Sequence, residues 1–167
     1  VGFFILINLI KQDLPFDMYF TFVTQEEIGL RGAKVAAFSI DPDIAIVVEA
    51  TTAADVRGVS AEKQVCKIGH GAVIAFMDKS TIYDRELYEL ALKLAKENGI
   101  KIQIKSLVAG GNDSGAIHAT RGGVKTIAVS LPCRYLHTAC SMICADDIWE
   151  TQKLVQKLAE KICEKEI

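Results

Sequence analysis

Three short, largely apolar runs most constrain how this chain can fold. They are residues 44–48 (IAIVV), 72–77 (AVIAFM) and 124–131 (VKTIAVSL). Runs of this kind, bounded by turn-forming residues, are typical of strands in the interior of a sheet. Residues 84–98, between the second run and the third, repeat apolar side chains at helical spacing and stop at Gly99. Strands that alternate with helices predict an α/β fold.

The same patterns assign the rest of the chain. We expect helices at residues 3–11, 32–38, 112–121 and 145–165, and further strands at residues 18–23 and 101–107. Residues 51–69 form a long polar connection of the kind that often covers a site. A chain of 167 residues that is 50% hydrophobic supports one sizeable core. We therefore expect a single α/β layered domain.

Composition disfavours several classes of function. Nineteen Lys and Arg against 21 Asp and Glu, with no basic stripe, disfavour a nucleic-acid partner. The apolar first ten residues are too short to span a bilayer, which disfavours a membrane protein. No GxGxxG turn follows a strand, which disfavours a dinucleotide site. Five cysteines without a CxxC pair indicate free thiols and a cytoplasmic location.

Polar side chains stand where several predicted strands end. They are Glu26 and Glu27, Glu49, Asn112 and Asp113, and His137. Strand ends converge on one edge of an open α/β sheet, where ligands bind. Carboxylates and an imidazole are ordinary Zn²⁺ ligands, and a further carboxylate could act as a base toward an activated water.

Each of these residues also has a structural interpretation. Glu26 and Glu27 could equally be solvated or cap a helix, and Asn112-Asp113 after Gly110-Gly111 is more typical of a turn and cap. Glu49 follows a buried strand, where a carboxylate needs a partner. We expect the remaining histidines, His70 and His118, to be structural or solvated, and Cys140 and Cys144 to be packed or inert thiols.

Four ordered motifs together resemble the M42 family of metallo-aminopeptidases, the glutamyl or deblocking aminopeptidases that sometimes carry a cellulase label. The motifs are FVTQEEIGLRGA at residues 22–33, VEAT at 48–51 with Ala54-Asp55, GGND at 110–113, and RYLH at 134–137. The resemblance implies a layered α/β/α zinc-peptidase-like fold, with a mostly parallel or mixed central sheet and helices on both faces.

The resemblance also implies roles for individual residues. Glu26 corresponds to the general base, Glu27 and His137 to ligands of one metal ion, and Glu49 to the acidic ligand of the other. Two divalent ions, Zn²⁺ or Co²⁺, would activate the water that cleaves the first peptide bond of a peptide substrate. Gly110, Gly111 and Asp113 would shape the substrate site.

The family's site needs two further ligands that have no candidate in residues 1–167. The resemblance places a bridging aspartate, in an Asp-x-Arg motif, just before a pair like Val1-Gly2, and a histidine further upstream. We therefore expect this chain to be the C-terminal part of one catalytic domain. The expected remainder carries the other ligands and a small β-rich domain, and its absence would leave the chain alone inactive.

The resemblance further implies a homo-oligomer, since the family forms tetrahedral dodecamers. Three positions depart from the family pattern: Asn112 stands for a usual threonine, Ala139 for a common proline, and Arg57 for a frequent proline. None of these departures removes a proposed metal ligand.

Two other functions remain open from the residues themselves. A glycoside hydrolase of the cellulase or endoglucanase type would use two carboxylates, but adjacent Glu26 and Glu27 could not easily flank a sugar. The other alternative is a non-catalytic α/β module that binds a peptide or partner in an incomplete cleft.

Overall fold

The apolar runs form a four-stranded mixed sheet in the computed structural model, which describes residues 1–164. The strands are β1 (Ile44–Thr52), β2 (Ala72–Ile74), β3 (Ile102–Ile104) and β4 (Lys125–Cys133). The helices are α1 (Gly2–Ile10), α2 (Arg31–Ile40), α3 (Arg85–Glu97), α4 (Ser114–Ile117) and α5 (Ala145–Glu164), with a short 3₁₀ turn at Ala61–Lys63. None of the helices in this part of the chain is long and apolar enough to cross a membrane.

The strand order is β1-β4-β2-β3, and β4 is the central strand. β1 runs parallel to β4 along its whole length, from Ile44 opposite Lys125 to Thr52 opposite Cys133. β2 is antiparallel to β4, and β3 is parallel to β2. The sheet is therefore mixed, and β1 and β4 both deliver their carboxyl ends to the same edge.

Alternating side chains of β4 face two different layers. Ile127 and Val129 are fully buried against a core built from α1, α3 and α5. Ala128 points the other way and packs with Tyr83 and Val47 of β1. α4 contacts β1 and β4, and α2 packs on α4. The expected arrangement of helices on both faces of a mixed sheet is confirmed.

Several expected elements are present with different limits. β2 and β3 are three residues each, shorter than residues 72–77 and 101–107, and α5 is described as far as Glu164, so Lys165 lies outside the described residues. The helix expected at residues 112–121 is only Ser114–Ile117. Beyond it, Thr120 N donates to the Ile117 carbonyl oxygen (3.0 Å), and Thr120 Oγ1 instead donates to the Ala116 oxygen (2.8 Å) that a continued helix would pair with Thr120 N.

The strand expected at residues 18–23 is wrong. These residues are extended and Phe20 packs on the main core, but they make no ladder with another strand among residues 1–164. Tyr19 remains 77% exposed and Phe22 40% exposed. A strand requires a hydrogen-bonded neighbour as well as an apolar pattern, and sequence reveals only the pattern.

Within residues 1–164, the strand at residues 44–48 is not the interior strand that its apolar pattern predicts. β1 lies at the edge of the four-stranded sheet, and Ile44 to Ala50 are all only half-buried. Strand β1 continues past Glu49 to Thr52, so Glu49 lies within the strand and not after it. An apolar strand whose outer edge is open can accept another strand.

A buried carboxylate ties α5 to the loop before β2. Asp147, in the first turn of α5, is 1% exposed and accepts hydrogen bonds from the backbone N–H groups of Gly69 (2.6 Å) and Gly71 (2.7 Å). A Cβ at Gly71 would lie 2.0 Å from the Lys101 carbonyl oxygen. The turn therefore lies too close to the Lys101 backbone for any residue other than glycine. Asp147 therefore anchors the entry to β2.

Replacing this carboxylate tests the anchor. Asp147→Ala should lower the free energy of unfolding by about 1–3 kcal/mol, because it leaves the buried Gly71 N–H without an acceptor and removes the part-buried bond from Gly69 N. Asp146→Ala is the matched control, since Asp146 lies in the same helical turn but is exposed. Urea unfolding followed by circular dichroism measures both. Equal losses in the two variants would mean that helix charge, and not the two backbone bonds, supplies the stability.

Candidate active site

One large cleft gathers the residues to which the family resemblance assigns a role. Its volume is about 990 Å³, and it runs along β1, since all nine residues of that strand line it. Side chains of a strand alternate between its faces, so a cavity that touches all nine must follow the open edge. The expected site residues on its wall are Glu26, Glu27, Glu49, Gly110, Gly111, Asp113 and His137. Residues 53–69 do not line it, so the expectation that the long connection covers the site is wrong.

A tight turn presents Glu26 and Glu27 just before α2. The Glu26 carbonyl oxygen accepts hydrogen bonds from Gly29 N (3.1 Å) and Leu30 N (3.0 Å), and Gly32 N donates to Thr24 O (3.0 Å). A Cβ at Gly32 would lie 2.4 Å from that same oxygen. Glycine is therefore required where the chain doubles back, and the turn holds the two carboxylates at fixed places.

Glu27 and His137 meet across the mouth of the cleft. Glu27 Oε1 lies 3.3 Å from His137 Nδ1, and the side chains are 71% and 66% exposed. An exposed pair of this kind contributes little to stability. Its two donor atoms are, however, a carboxylate and an imidazole within reach of one shared ion, and this is the donor chemistry of a zinc site.

Glu49 is held from behind by a polar network. Its Oε1 accepts hydrogen bonds from Asn112 Nδ2 (2.9 Å) and from Ser130 Oγ (3.2 Å), the residue opposite it in β4. Asn112 Nδ2 also donates to Asp78 Oδ2 (3.1 Å) and to the Tyr83 hydroxyl (2.9 Å). Asn112 is 4% exposed, so its amide joins the Glu49 carboxylate to buried groups beneath the cleft.

Asn112 and Asp113 have different structural roles. Asn112 Oδ1 accepts a hydrogen bond from Ser114 N at 2.8 Å, as expected for a turn residue. Asp113 precedes α4, yet its side chain makes no capping bond, and its Oδ1 is buried without a hydrogen-bond partner among the described residues. The capping interpretation therefore applies to Asn112, whereas Asp113 leaves an unsatisfied carboxylate at the wall of the cleft.

The glycines of the GGND motif allow this loop to approach its neighbour closely. Gly110 has φ of 67°, and its carbonyl oxygen accepts a hydrogen bond from Lys79 N at 2.8 Å. A Cβ at Gly111 would lie 2.6 Å from Ser80 Oγ. The two glycines therefore fix the position of the loop that carries Asp113 at the wall of the cleft.

Three carboxyl groups around the cleft are harder to ionise than usual. Burial raises the pKa of Glu49 to about 7, against the opposing effect of Lys105 and of its hydrogen bonds. Burial and the charges of Glu27 and Asp113 raise the pKa of Glu26, which His137 partly offsets. Burial also raises the pKa of Asp113. A bound cation would favour the ionised forms of all three.

These residues fit part of a metal centre. Glu27, His137 and Glu49 are suitable donors, and Asp113 Oδ1 is an orphaned buried acceptor in the same cleft. Within residues 1–164, however, no group of three or more His, Cys, Asp or Glu side chains is placed to hold an ion by itself. The donor set is of the right chemistry but is not complete in this part of the chain.

Other residues weighed from the sequence lie elsewhere. His118 is half-buried and bonds the Ser114 carbonyl oxygen, and His70 is exposed in its turn. All five cysteines are free thiols, with Cys66 and Cys133 buried. Lys105 and Ser130, which act on Glu49, carried no sequence signal, because their approach depends on the pairing of distant strands.

A family model decides the relationship of this chain to known proteins. Residues 1–154 match the model described as M42 glutamyl aminopeptidase. The chain belongs to the M42 family. A relative from Acetivibrio thermocellus is 44% identical over 147 residues, which are 88% of this chain and 43% of that protein. The lysyl aminopeptidase of Pyrococcus furiosus is 35% identical, over 87% of this chain and 41% of that protein.

Solved structures agree with the M42 assignment. An aminopeptidase from Desulfurococcus kamchatkensis superposes with a TM-score of 0.91 at 26% identity, covering 96% of this chain and 46% of that one. The TET1 peptidase of Pyrococcus horikoshii, which can assemble into a tetrahedron or an octahedral shell, gives 0.70 at 34% identity, over 84% and 40%. The chain thus spans less than half the length of the M42 relatives it matches.

The raised pKa of Glu49 predicts a pH dependence of stability. Between its ordinary pKa of about 4.5 and its folded value of about 7, the folded state keeps a proton that the unfolded state has released. Stability should therefore fall as pH rises through this range, by about 3 kcal/mol for this one group. Glu49→Gln should remove that part of the fall.

Urea unfolding in EDTA at pH 4.5 and pH 8 measures the effect. Glu62→Gln is the control, because Glu62 is exposed in the 3₁₀ turn away from the cleft. An identical pH dependence in Glu49→Gln and in the unsubstituted chain would show that Glu49 is ionised in both states.

Proposed function

We propose that the complete protein containing residues 1–167 is a metal-dependent aminopeptidase that removes N-terminal residues from peptides. The observation that carries the proposal is the meeting of Glu26, Glu27, Glu49 and His137 on one cleft of an M42 domain. These residues come from three separated motifs, and each side chain has the chemistry that its role requires.

The proposed roles follow from the surroundings of each residue. Glu27 and His137 would hold one divalent ion, and Glu49, steadied by Asn112 and Ser130, would be a ligand of the second. The ions, Zn²⁺ or Co²⁺, would supply a nucleophilic water at neutral pH and polarise the scissile carbonyl. Glu26 is the proposed general base, because burial and acidic neighbours raise its pKa toward the range in which a carboxylate accepts a proton readily.

The wall formed by Gly110, Gly111 and Asp113 is the proposed substrate side of the cleft. Asp113 carries a carboxylate oxygen without a partner among the described residues, and it lines the same cavity as Glu26, Glu27 and His137, so the end of a peptide could lie beside them. A peptide is therefore the proposed substrate partner, and nothing in the cleft favours nucleic acid.

We propose that the rest of the domain enters the cleft as an additional strand. The open edge of β1 and the extended residues 18–21 and 23 line the same cavity, and neither has a strand partner there. A strand laid along β1 would satisfy its backbone groups and bury the half-exposed apolar face. The same remainder would bring the bridging aspartate, the second histidine and the family's small β-rich domain, and without it residues 1–167 alone should be inactive.

The oligomeric state is proposed from a similar structure, and the location from the free thiols. The TET1 peptidase of Pyrococcus horikoshii forms closed shells, so we propose a homo-oligomer, with a dodecamer as the expected form. The five free thiols favour a reducing compartment such as the cytoplasm.

Two substitutions separate the base from the ligand in the complete enzyme. Glu26→Gln should lower kcat by at least about 100-fold while metal content is kept, because the proton acceptor is lost. Glu27→Gln should lower metal content as well as turnover. Hydrolysis of aminoacyl-p-nitroanilides and metal analysis of the dialysed protein measure the two effects. Turnover that survives EDTA would contradict the proposal.

The same preparation tests the two alternative functions. Cellulose hydrolysis that persists in EDTA would favour a glycoside hydrolase, although adjacent Glu26 and Glu27 on one turn do not suit that chemistry. Peptide binding without turnover by the complete protein would favour a non-catalytic module.

A further inference from the structure

His137 lies on a hairpin whose fold is largely self-contained. Arg134 and Met142 exchange two backbone hydrogen bonds, of 2.9 and 3.0 Å, and so close a hairpin of residues 134–142, here called the His137 hairpin. Inside it, Thr138 Oγ1 donates to the carbonyl oxygen of Tyr135 (2.7 Å) or of Cys140 (3.0 Å). His137 and its neighbours from residue 138 to residue 142 are exposed. Because the hairpin bonds mainly to itself, its direction relative to the sheet depends on its base.

A two-point ion pair fixes that base. Arg134 Nε lies 2.7 Å from Asp55 Oδ1, and Arg134 Nη2 lies 2.7 Å from Asp55 Oδ2. The Asp55 side chain is 9% exposed and that of Arg134 27%. Asp55 Oδ2 also accepts a hydrogen bond from Ile68 N at 3.1 Å, and the Arg134 guanidinium lowers the pKa of the Asp55 carboxyl. A two-point pair with this burial sets direction as well as distance.

The ion pair continues the register of the two longest strands. Thr52 is opposite Cys133 in the ladder, and Ala53 N donates to the Cys133 carbonyl oxygen at 2.9 Å. Ala54 then turns the chain with φ of 58°, which brings Asp55 against Arg134, the first residue beyond β4. The pair thus joins the segment that leaves the Glu49 strand to the hairpin that carries His137.

We propose that Asp55 and Arg134 are a positioning pair that aims His137 at Glu27. This inference rests on the proposed function, because it assigns the pair an effect on the ion held by Glu27 and His137. Neither residue of the pair lines the cleft. It acts through the His137 hairpin, so its loss should weaken one metal site and leave the Glu49 site, which is held by Asn112 and Ser130, nearly unchanged.

Arg134→Lys is the discriminating variant. Lysine keeps the positive charge but cannot make two parallel bonds to one carboxylate. Loss of a partner that orients a ligand typically costs about 10- to 100-fold in metal affinity, and we expect a loss of that size for one of the two ions. Arg85→Lys is the matched control, since Arg85 makes a single-point pair with Glu89 at 2.7 Å on an exposed helix surface.

Titration of the metal-free complete enzyme with Co²⁺ alone, followed by calorimetry and by the absorption bands of the bound ion, measures both sites without turnover. We expect Arg134→Lys to weaken one binding step and change its absorption bands, with the other step and the thermal unfolding midpoint close to those of Arg85→Lys. Asp55→Asn should have the same effect, and the double variant should be little worse than either single one.

Three results would overturn the positioning role of the pair, and a fourth would bear on the function. Unchanged Co²⁺ affinities in Arg134→Lys, or a lower unfolding midpoint with both affinities intact, would assign the pair a purely structural role. Equal weakening of both ions would also contradict a role confined to the His137 hairpin. If the unsubstituted enzyme bound no Co²⁺, the proposed function itself would fail, which distinguishes that failure from failure of the positioning pair.

Discussion

Nine consecutive residue pairs join β1 to β4, and both strands run in the same direction. Parallel pairing means that the segments leaving the two strands emerge at one edge of the sheet. The segment after β1 carries Asp55, and the segment after β4 carries Arg134 and then His137. A shift of one residue in this register would turn Glu49 toward the opposite layer, since side chains alternate. The ladder therefore decides both where the site lies and which side chains reach it.

The site is built with unequal rigidity. Glu49 lies within a strand and is bonded by Ser130 from the neighbouring strand and by buried Asn112. Glu27 and His137 lie on a turn and a hairpin, and both are mostly exposed. Loops placed on a firm scaffold are where catalytic side chains are commonly found. The rigid part of this site is the one around Glu49. The position of Glu27 depends on the turn that ends at Gly32, and the position of His137 depends on the Asp55–Arg134 pair.

Sequence predicted the order of elements because each depends on local pattern. The apolar period of residues 84–98 gave α3 within a residue at each end, with Asp84 as its capping residue. The edge position of β1 could not be read, because a continuous apolar run looks the same whether the strand has one neighbour or two. The strand expected at residues 18–23 failed for the related reason that its pattern says nothing about its partner.

The candidate site also contains residues that the sequence predicted and residues that it did not. Glu26, Glu27, Glu49, Asp113 and His137 were identified through motifs, and the structure places them on one cleft. The groups behind them were not identified, because Ser130 reaches Glu49 only through strand register, and Asp78 reaches Asn112 only through the fold of a distant loop. Sequence motifs record the residues that do chemistry more clearly than the residues that hold them in place.

The electrostatics of the cleft argue that its residues need a positive partner. Burial raises the pKa values of Glu26, Glu49 and Asp113 together, and Lys105 opposes the effect at Glu49. Holding several carboxylates close together costs free energy whenever they ionise, and proteins keep such clusters where a cation or a proton is to be bound. Adjacent Glu26 and Glu27 then differ by setting: Glu26 is partly buried among acids, which suits proton transfer, and Glu27 faces His137 in the open, which suits a ligand. One turn of the chain thus places two adjacent carboxylates in different surroundings, each suited to a different task.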